Sequence, residues 1–269
     1  MRIWGKVLGF LFGLMLSKNI FGALLGAWLG HRFDKGVGLD FNHLGGSKSD
    51  TERQAAFFYS TFSVMGYIAK ANGRVTQHEI AFATAYMDKL GLKGELRQQA
   101  QEAFRDGKTT GFPLIDRLAK LKSAVGNRHD LLLLFLEIQI QVAFADGQLD
   151  DDERDALHQI AKGLGYSAKE LDKLLEMIIA GANFHQHGRG GSQGGFKQSA
   201  EQLENAYKVL GVTDKNSASE IKKAYRKLMS QHHPDKLVAK GLPPEMMEVA
   251  KQKAQDIQAA YELINEQSK

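Results

Sequence analysis

The tripeptide His233-Pro234-Asp235, below called the His-Pro-Asp motif, constrains the fold of this chain more than any other feature. Pro234 must end the helix before it, because proline lacks the N–H and disfavours helical backbone at the preceding residue. Apolar side chains recur at helical spacing on both sides of the motif. The stripe before it comprises Ile221, Ala224, Tyr225 and Leu228, and the stripe after it comprises Ala250, Ala254, Ile257, Tyr261 and Ile264. The pattern predicts two antiparallel helices with the motif at the tip of their connecting loop.

A cationic face lies opposite the first apolar stripe. This basic face consists of Lys222, Lys223, Arg226 and Lys227. Taken alone, such charges usually form a solvated helix surface, and an isolated His-Pro-Asp tripeptide is usually an ordinary turn. Their order along the chain is more specific, because 207–212 precedes them and the apolar segment 260–264 follows. We therefore interpret the features together.

The ordered set in the C-terminal domain, 201–269, resembles a J-domain, the DnaJ-type module that stimulates the ATPase of Hsp70 chaperones. The resemblance implies that the His-Pro-Asp motif triggers ATP hydrolysis in the Hsp70 DnaK and that the basic face docks on its acidic surface. It implies packing roles for Tyr207, Leu210, Tyr225, Leu228 and Tyr261. We expect the family's short fourth helix, its Gly/Phe-rich segment and its cysteine zinc module to be absent. We therefore expect a specialised J-protein.

Composition limits the remaining function classes. The chain has no cysteine, which excludes disulfides and cysteine-ligated zinc. The chain has 35 Lys+Arg and 31 Asp+Glu, a small basic excess. The basic residues form no long stripe with interleaved aromatics, so we expect no nucleic-acid partner. We find no nucleophile–base–acid set, P-loop or dinucleotide fingerprint, and expect no enzyme activity, cofactor or metal. Four prolines and few alternating apolar/polar runs predict an all-α fold.

The apolar segment 7–30 predicts a single transmembrane helix behind a short N-terminal tail, 1–6. At 1.5 Å per residue it would extend about 36 Å, enough to cross a hydrocarbon core of roughly 30 Å. A signal peptide is the alternative, because Arg2 and Lys6 precede the segment. However, the apolar run resumes after Lys18 and no small-x-small cleavage motif follows it. Export would also separate a J-domain from ATP, so we predict a retained anchor.

Glycines in and beside this segment form two sets of three, and within each set they are four residues apart. They are Gly5, Gly9, Gly13, Gly22, Gly26 and Gly30, and an ideal helix places them within one half of its circumference. Such faces allow two helices to approach closely, which predicts a homodimer, although glycine is also common in membrane helices generally. Flanking charges are nearly balanced and do not fix the orientation. A J-domain must meet cytosolic Hsp70, so we expect a periplasmic N-terminus.

The middle domain, 51–184, follows a juxtamembrane linker, 31–50, and contains an internal repeat. The segment 68–79 aligns without gaps on 142–153, and each copy predicts a helix, a glycine turn and a second helix. Thr76 with Glu79, and Asp150 with Glu153, have the spacing of a capping box. The repeated pattern around Gly73 and Gly147 resembles TerB-like helical domains, named for tellurite-resistance proteins.

Acidic residues around the second turn suggest a cation site as the alternative to capping. They are Asp146, Asp150, Asp151, Asp152 and Glu153. Their spacing differs from that of an EF-hand, so capping is the favoured interpretation. The segment 185–200 is rich in glycine and predicts a flexible linker, in which His185 and His187 are exposed rather than metal ligands.

The order of anchor, TerB-like domain, glycine-rich linker and J-domain resembles the membrane-anchored DnaJ-like co-chaperones of Gram-negative bacteria. The resemblance implies an inner-membrane, single-pass protein with most of its mass in the cytoplasm and a dimer formed through the membrane helix. It implies cooperation with DnaK, a membrane-associated signalling client, and a link to the Rcs phosphorelay and colanic acid capsule synthesis. The alternative is an ion- or stress-sensing protein with the TerB-like domain as receptor and the J-domain as output.

Overall fold

The computed structural model describes residues 48–71, 73, 77–144, 147–189 and 195–267, and every regular element in these ranges is helical. This confirms the all-α fold. The predicted anchor and most of the juxtamembrane linker lie outside these residues. Among the described helices, none combines the length and the apolar character that crossing a membrane requires.

The helices of the middle domain are followed directly by those of the C-terminal domain. In chain order they are α1 (Lys48–Ile68), α2 (Gln77–Lys89), α3 (Gly94–Gly107), α4 (Leu114–Val125), α5 (His129–Ala143), α6 (Asp151–Leu164), α7 (Ala168–Arg189), α8 (Gly195–Val209), α9 (Ala218–His232), α10 (Pro234–Ala239), a 3-10 turn (Pro244–Met246) and α11 (Met247–Gln267). Residues 52–269 form one compact unit.

Helix α5 forms the centre of the middle domain. Its residues Leu131, Leu134, Phe135, Leu136 and Ile138 are fully buried, in keeping with the uninterrupted apolar run 131–136. Burying each such side chain contributes about 1.5–3 kcal/mol to folding. The same helix also buries Glu137 and Gln139, which is unusual for polar residues.

The second turn of the repeat has the backbone that a glycine permits. Gly147 has φ +87°, in the left-handed region where other residues are strained. Asp150 Oδ1 accepts a hydrogen bond from the Glu153 N–H at 2.7 Å, and Glu153 Oε2 accepts one from the Asp150 N–H at 3.1 Å. This reciprocal capping box begins α6 as predicted. The capping of the first copy by Thr76 lies outside the described residues.

The candidate cation site receives no support from this turn. Asp150 and Glu153 are engaged in capping α6, and Asp146 lies outside the described residues. Nowhere in the described ranges do three or more potential metal-ligating side chains form a group. The geometry therefore favours the structural interpretation of this acidic cluster.

The segment predicted as a linker is helical at both ends. Helix α7 continues to Arg189, and α8 begins at Gly195, so helix covers much of 185–200. Packing explains the difference from the glycine-based expectation, because Phe184 and Leu203 contact the same apolar cluster. His185 and His187 lie on α7, but their side chains are outside the described part of the chain.

The C-terminal domain has its own apolar cluster. Helices α8, α9 and α11 contribute to it, with Val209, Ile221 and Ile257 buried. The rings of Tyr225 and Tyr261 stack at 4.2 Å with an interplanar angle of 12°, which places both tyrosines in packing roles. Met177 and Ala180 of α7 complete the same cluster, while Leu171 and Ile178 of α7 belong to the cluster of the middle domain.

Candidate functional site

Helix α9 carries the basic face and ends at the His-Pro-Asp motif. Its start is fixed by a capping box, in which Ser217 Oγ accepts from the Glu220 N–H at 3.3 Å and Glu220 Oε2 accepts from the Ser217 N–H at 2.7 Å. The pKa of Glu220 is lowered because its carboxylate accepts from the Ser217 N–H, the largest cause, and from the Ser217 hydroxyl at 2.9 Å. The helix ends because His233 adopts an extended backbone, with φ −63° and ψ 122°.

The motif lies at a junction between two helices and not at the tip of a loop. Pro234 takes the first position of the short helix α10, where its missing N–H is no loss and its fixed φ suits the helix. The His233 carbonyl accepts from the Leu237 N–H at 3.1 Å and so begins α10. The sequence pattern predicted that the motif lies in a loop. Instead, Pro234 follows the end of α9 and begins α10.

The three motif side chains differ in exposure. Asp235 is exposed in the first turn of α10, where the helix dipole favours a negative charge. His233 is half-buried, and its Nδ1 is enclosed without a hydrogen-bond partner in the described part of the chain. The side chain of His233 is therefore partly covered rather than presented at an open loop tip.

The basic face is open to solvent. Lys222, Lys223, Arg226 and Lys227 are all exposed, and none forms an ion pair with the described acidic side chains. On the opposite side of α9, Ile221 and Leu228 are buried, which confirms the predicted apolar stripe. The arrangement places four exposed cations on the helix that ends at the His-Pro-Asp motif.

A buried charged group beneath the motif was missed from the sequence. His232 Nδ1 lies 3.5 Å from Glu137 Oε2, and Lys253 Nζ lies 3.5 Å from Glu137 Oε1. The side chains of His232 and Glu137 are 1% and 2% exposed. Burial lowers the pKa of His232, the Glu137 carboxylate opposes this shift, and Lys253 adds to it. The imidazole is therefore held mainly in its neutral form.

One signal for this group was present in the sequence. Glu137 is the charged residue in an otherwise apolar run of α5, and a carboxylate at such a position needs a partner. The partners come from α9 and α11, far along the chain. Periodicity therefore identifies Glu137 as anomalous without identifying what it contacts.

Comparison with known proteins follows the same division of the chain. Residues 1–49 match the family model of the co-chaperone DjlA transmembrane domain, residues 59–176 that of tellurite resistance protein TerB, and residues 205–269 that of the DnaJ domain. Co-chaperone protein DjlA of Photobacterium profundum is 52% identical over 98% of this chain and 99% of its own length. The chain belongs to the DjlA family of co-chaperones.

Other DjlA proteins match over nearly the same extent. That of Vibrio cholerae is 50% identical over 99% of both chains, and that of Escherichia coli K12 is 48% identical over 99% of this chain and 98% of its own. No solved structure matches this chain. The DjlA family match confirms the J-domain, the TerB domain and the transmembrane segment predicted from the sequence.

Proposed function

We propose that this DjlA-family chain is a membrane-anchored co-chaperone that stimulates the ATPase of the Hsp70 DnaK through its J-domain. The observation that carries the proposal is the direct connection between the exposed basic face of α9 and the His-Pro-Asp motif at its end. A partner with an acidic surface is guided to the face and then meets the motif.

The two parts of the site have separate roles in this mechanism. Exposed cations speed the encounter with an oppositely charged partner and orient it, which makes association sensitive to salt. His233 and Asp235 then contact DnaK and favour its hydrolysis-competent state. The groups that cleave ATP belong to DnaK, so the chain acts as an activator and not as an enzyme.

Charge reversal tests the role of the basic face. Replacing Lys223 and Arg226 with glutamate should weaken binding of ATP-loaded DnaK about tenfold or more and flatten its salt dependence. Exposed charges act over roughly 10 Å at 0.1 M salt, so added salt should weaken the wild-type complex in the same way. Equilibrium binding measured over a series of salt concentrations checks both effects.

A matched control separates the basic face from net charge. Lys120 and Lys169 are exposed on the middle domain, and their replacement by glutamate changes the net charge equally. This control should bind DnaK with nearly wild-type affinity and salt dependence. If both pairs of substitutions have the same effect, the basic face has no specific role.

We infer that the anchor crosses the inner membrane once with its N-terminus in the periplasm and pairs two chains through its glycines. The periodic spacing of Gly9, Gly13, Gly22 and Gly26 supports pairing, since small residues let membrane helices approach closely. The family resemblance supports a membrane-associated client and a link to the Rcs phosphorelay and colanic acid synthesis. Anchoring raises the effective concentration of the J-domain near such a client.

Leucines at these four glycines test the pairing. The variant keeps an apolar segment, so it should still reach the membrane, but bulky side chains block close approach. Cross-linking in membranes should yield monomers, and a reporter of capsule synthesis should no longer respond. Normal cross-linked dimers and a normal reporter response would show that the glycines do not pair the helices and only reflect the amino-acid composition of the segment.

A further inference from the structure

The middle domain holds the segment that follows the His-Pro-Asp motif. Leu237, Leu242 and Met246 are fully buried, and they belong to the same apolar cluster as the core residues of α5. Val249, at the start of α11, joins this cluster as well. The side chains just after the motif therefore pack on the middle domain and not on the C-terminal domain's own cluster.

Two carboxylates of α5 reach across to the same region. Asp130 forms an ion pair with Lys240, and Glu137 lies between His232 and Lys253. Asp130 and Glu137 are about two helical turns apart and share one face of α5. They contact the residues on either side of the motif, one just before it and one just after α10.

The polar part of the contact is incompletely packed. A cleft of about 900 Å³ opens between the domains, lined by Lys227 and His232 on one side and by Leu133 and Tyr166 on the other. Interfaces between domains that are partly polar and incompletely packed usually permit relative motion. The ion pair of Asp130 with Lys240 is partly exposed to solvent, so it contributes little net stability.

The contact limits the surface that a partner can reach. A stable protein–protein interface buries roughly 800 Å² on each side, and a site centred on the His-Pro-Asp motif would need the surface around it. The middle domain contacts Leu237 of α10 and Lys240 just after it, and His233 is half-buried. Asp235 and the basic face remain exposed, so DnaK can make its first contact there. While the middle domain stays in place, however, DnaK cannot contact the whole surface around the motif.

We propose that the middle domain is an intramolecular inhibitor of the J-domain, in which α5 holds the flanks of the His-Pro-Asp motif. Full stimulation of DnaK requires the motif segment to leave Asp130 and Glu137. This inference rests on the proposed function and gives the TerB-like domain a role in it, as a restraint that a partner or client releases.

The test uses the full chain in detergent with the contact broken from the middle domain's side. The opening variant combines Asp130→Lys with Glu137→Gln, which removes both carboxylates. Its matched control combines Asp116→Lys with Glu95→Gln, both exposed on the middle domain and away from the contact.

A second opening variant, Lys240→Asp alone, breaks the contact from the side of the C-terminal domain. It keeps Glu137, so it tests the proposal even if the first variant misfolds. Combining Asp130→Lys with Lys240→Asp restores opposite charges and should restore inhibition.

Two readouts follow each variant. The chain has no cysteine, so dyes placed at Lys120→Cys and Gln255→Cys, both exposed positions, report the separation of the domains by energy transfer. Single-turnover ATP hydrolysis by DnaK reports stimulation. We expect lower energy transfer and about tenfold less protein for half-maximal stimulation in the opening variant, with the control and the charge-swapped pair like wild type.

The outcomes separate this inference from the proposed function. Unchanged energy transfer in both opening variants overturns the inference, and so does lower transfer with unchanged or weaker stimulation. Failure of the proposed function has a different signature, because then no variant stimulates DnaK whether the domains separate or not. Adding His233→Gln to the opening variant should remove stimulation while the low energy transfer persists.

Discussion

Replacing His233 with glutamine will reduce stimulation of the DnaK ATPase by the full chain to the rate of DnaK alone. Glutamine occupies a similar volume and keeps a hydrogen-bonding group, so the half-buried position of His233 tolerates it. The backbone at this residue is extended, which glutamine adopts without strain. The chain should therefore lose its effect on DnaK while remaining folded.

A second histidine provides the control for this substitution. His158 is half-buried on α6, as His233 is at the motif, so His158→Gln makes the same chemical change away from the cleft beside the motif. Circular dichroism and thermal melting of both variants should match wild type, and only His233→Gln should fail to stimulate DnaK. Full stimulation by a folded His233→Gln variant would refute the assignment of the motif.

Replacing Gly66 with alanine will destabilise the middle domain by about 3 kcal/mol, near the upper end for overpacking. A Cβ at this position would lie 2.0 Å from the carbonyl oxygen of Phe104, so helices α1 and α3 must move apart. Gly107 makes the reciprocal approach, since its Cβ would lie 1.8 Å from the Ser63 carbonyl oxygen. Backbone atoms on both sides cannot rotate away as a side chain would.

Gly181→Ala is the matched control for the close approach of α1 and α3 at Gly66. Gly181 is also helical, but its Cβ would have Val209 Cγ2 as nearest neighbour at 3.9 Å, an ordinary contact. Alanine there should leave stability unchanged or raise it by up to about 1 kcal/mol. Urea unfolding measures the free energies of both variants. Equal stability of the two would show that α1 and α3 can separate at little cost.

Local signals allowed much of this fold to be predicted from the sequence. The stripe with Ile221 and Leu228, the capping pair Asp150 and Glu153, and the left-handed turn at Gly147 depend on neighbours along the chain. Helical periodicity and capping encode such features directly. The same holds for the exposed basic face, because its position opposite the apolar stripe follows from helix geometry.

The features that sequence reasoning missed depend on contacts between distant segments. The glycine content of 185–200 indicated a linker, but the packing of Phe184 and Leu203 sustains helix on either side. The contact of Glu137 with His232 joins α5 to α9, which are far apart along the chain. No local pattern encodes which face of α5 meets the motif, so tertiary packing decides it.

The most direct test of the central claim is single-turnover hydrolysis of ATP by DnaK with and without the full chain in lipid membranes. Single-turnover conditions isolate the hydrolysis step from nucleotide exchange, which a J-domain protein need not affect. We predict faster hydrolysis that saturates as the chain is added, and that weakens as the salt concentration rises. An unchanged rate of hydrolysis at saturating concentrations of the folded chain would contradict the account.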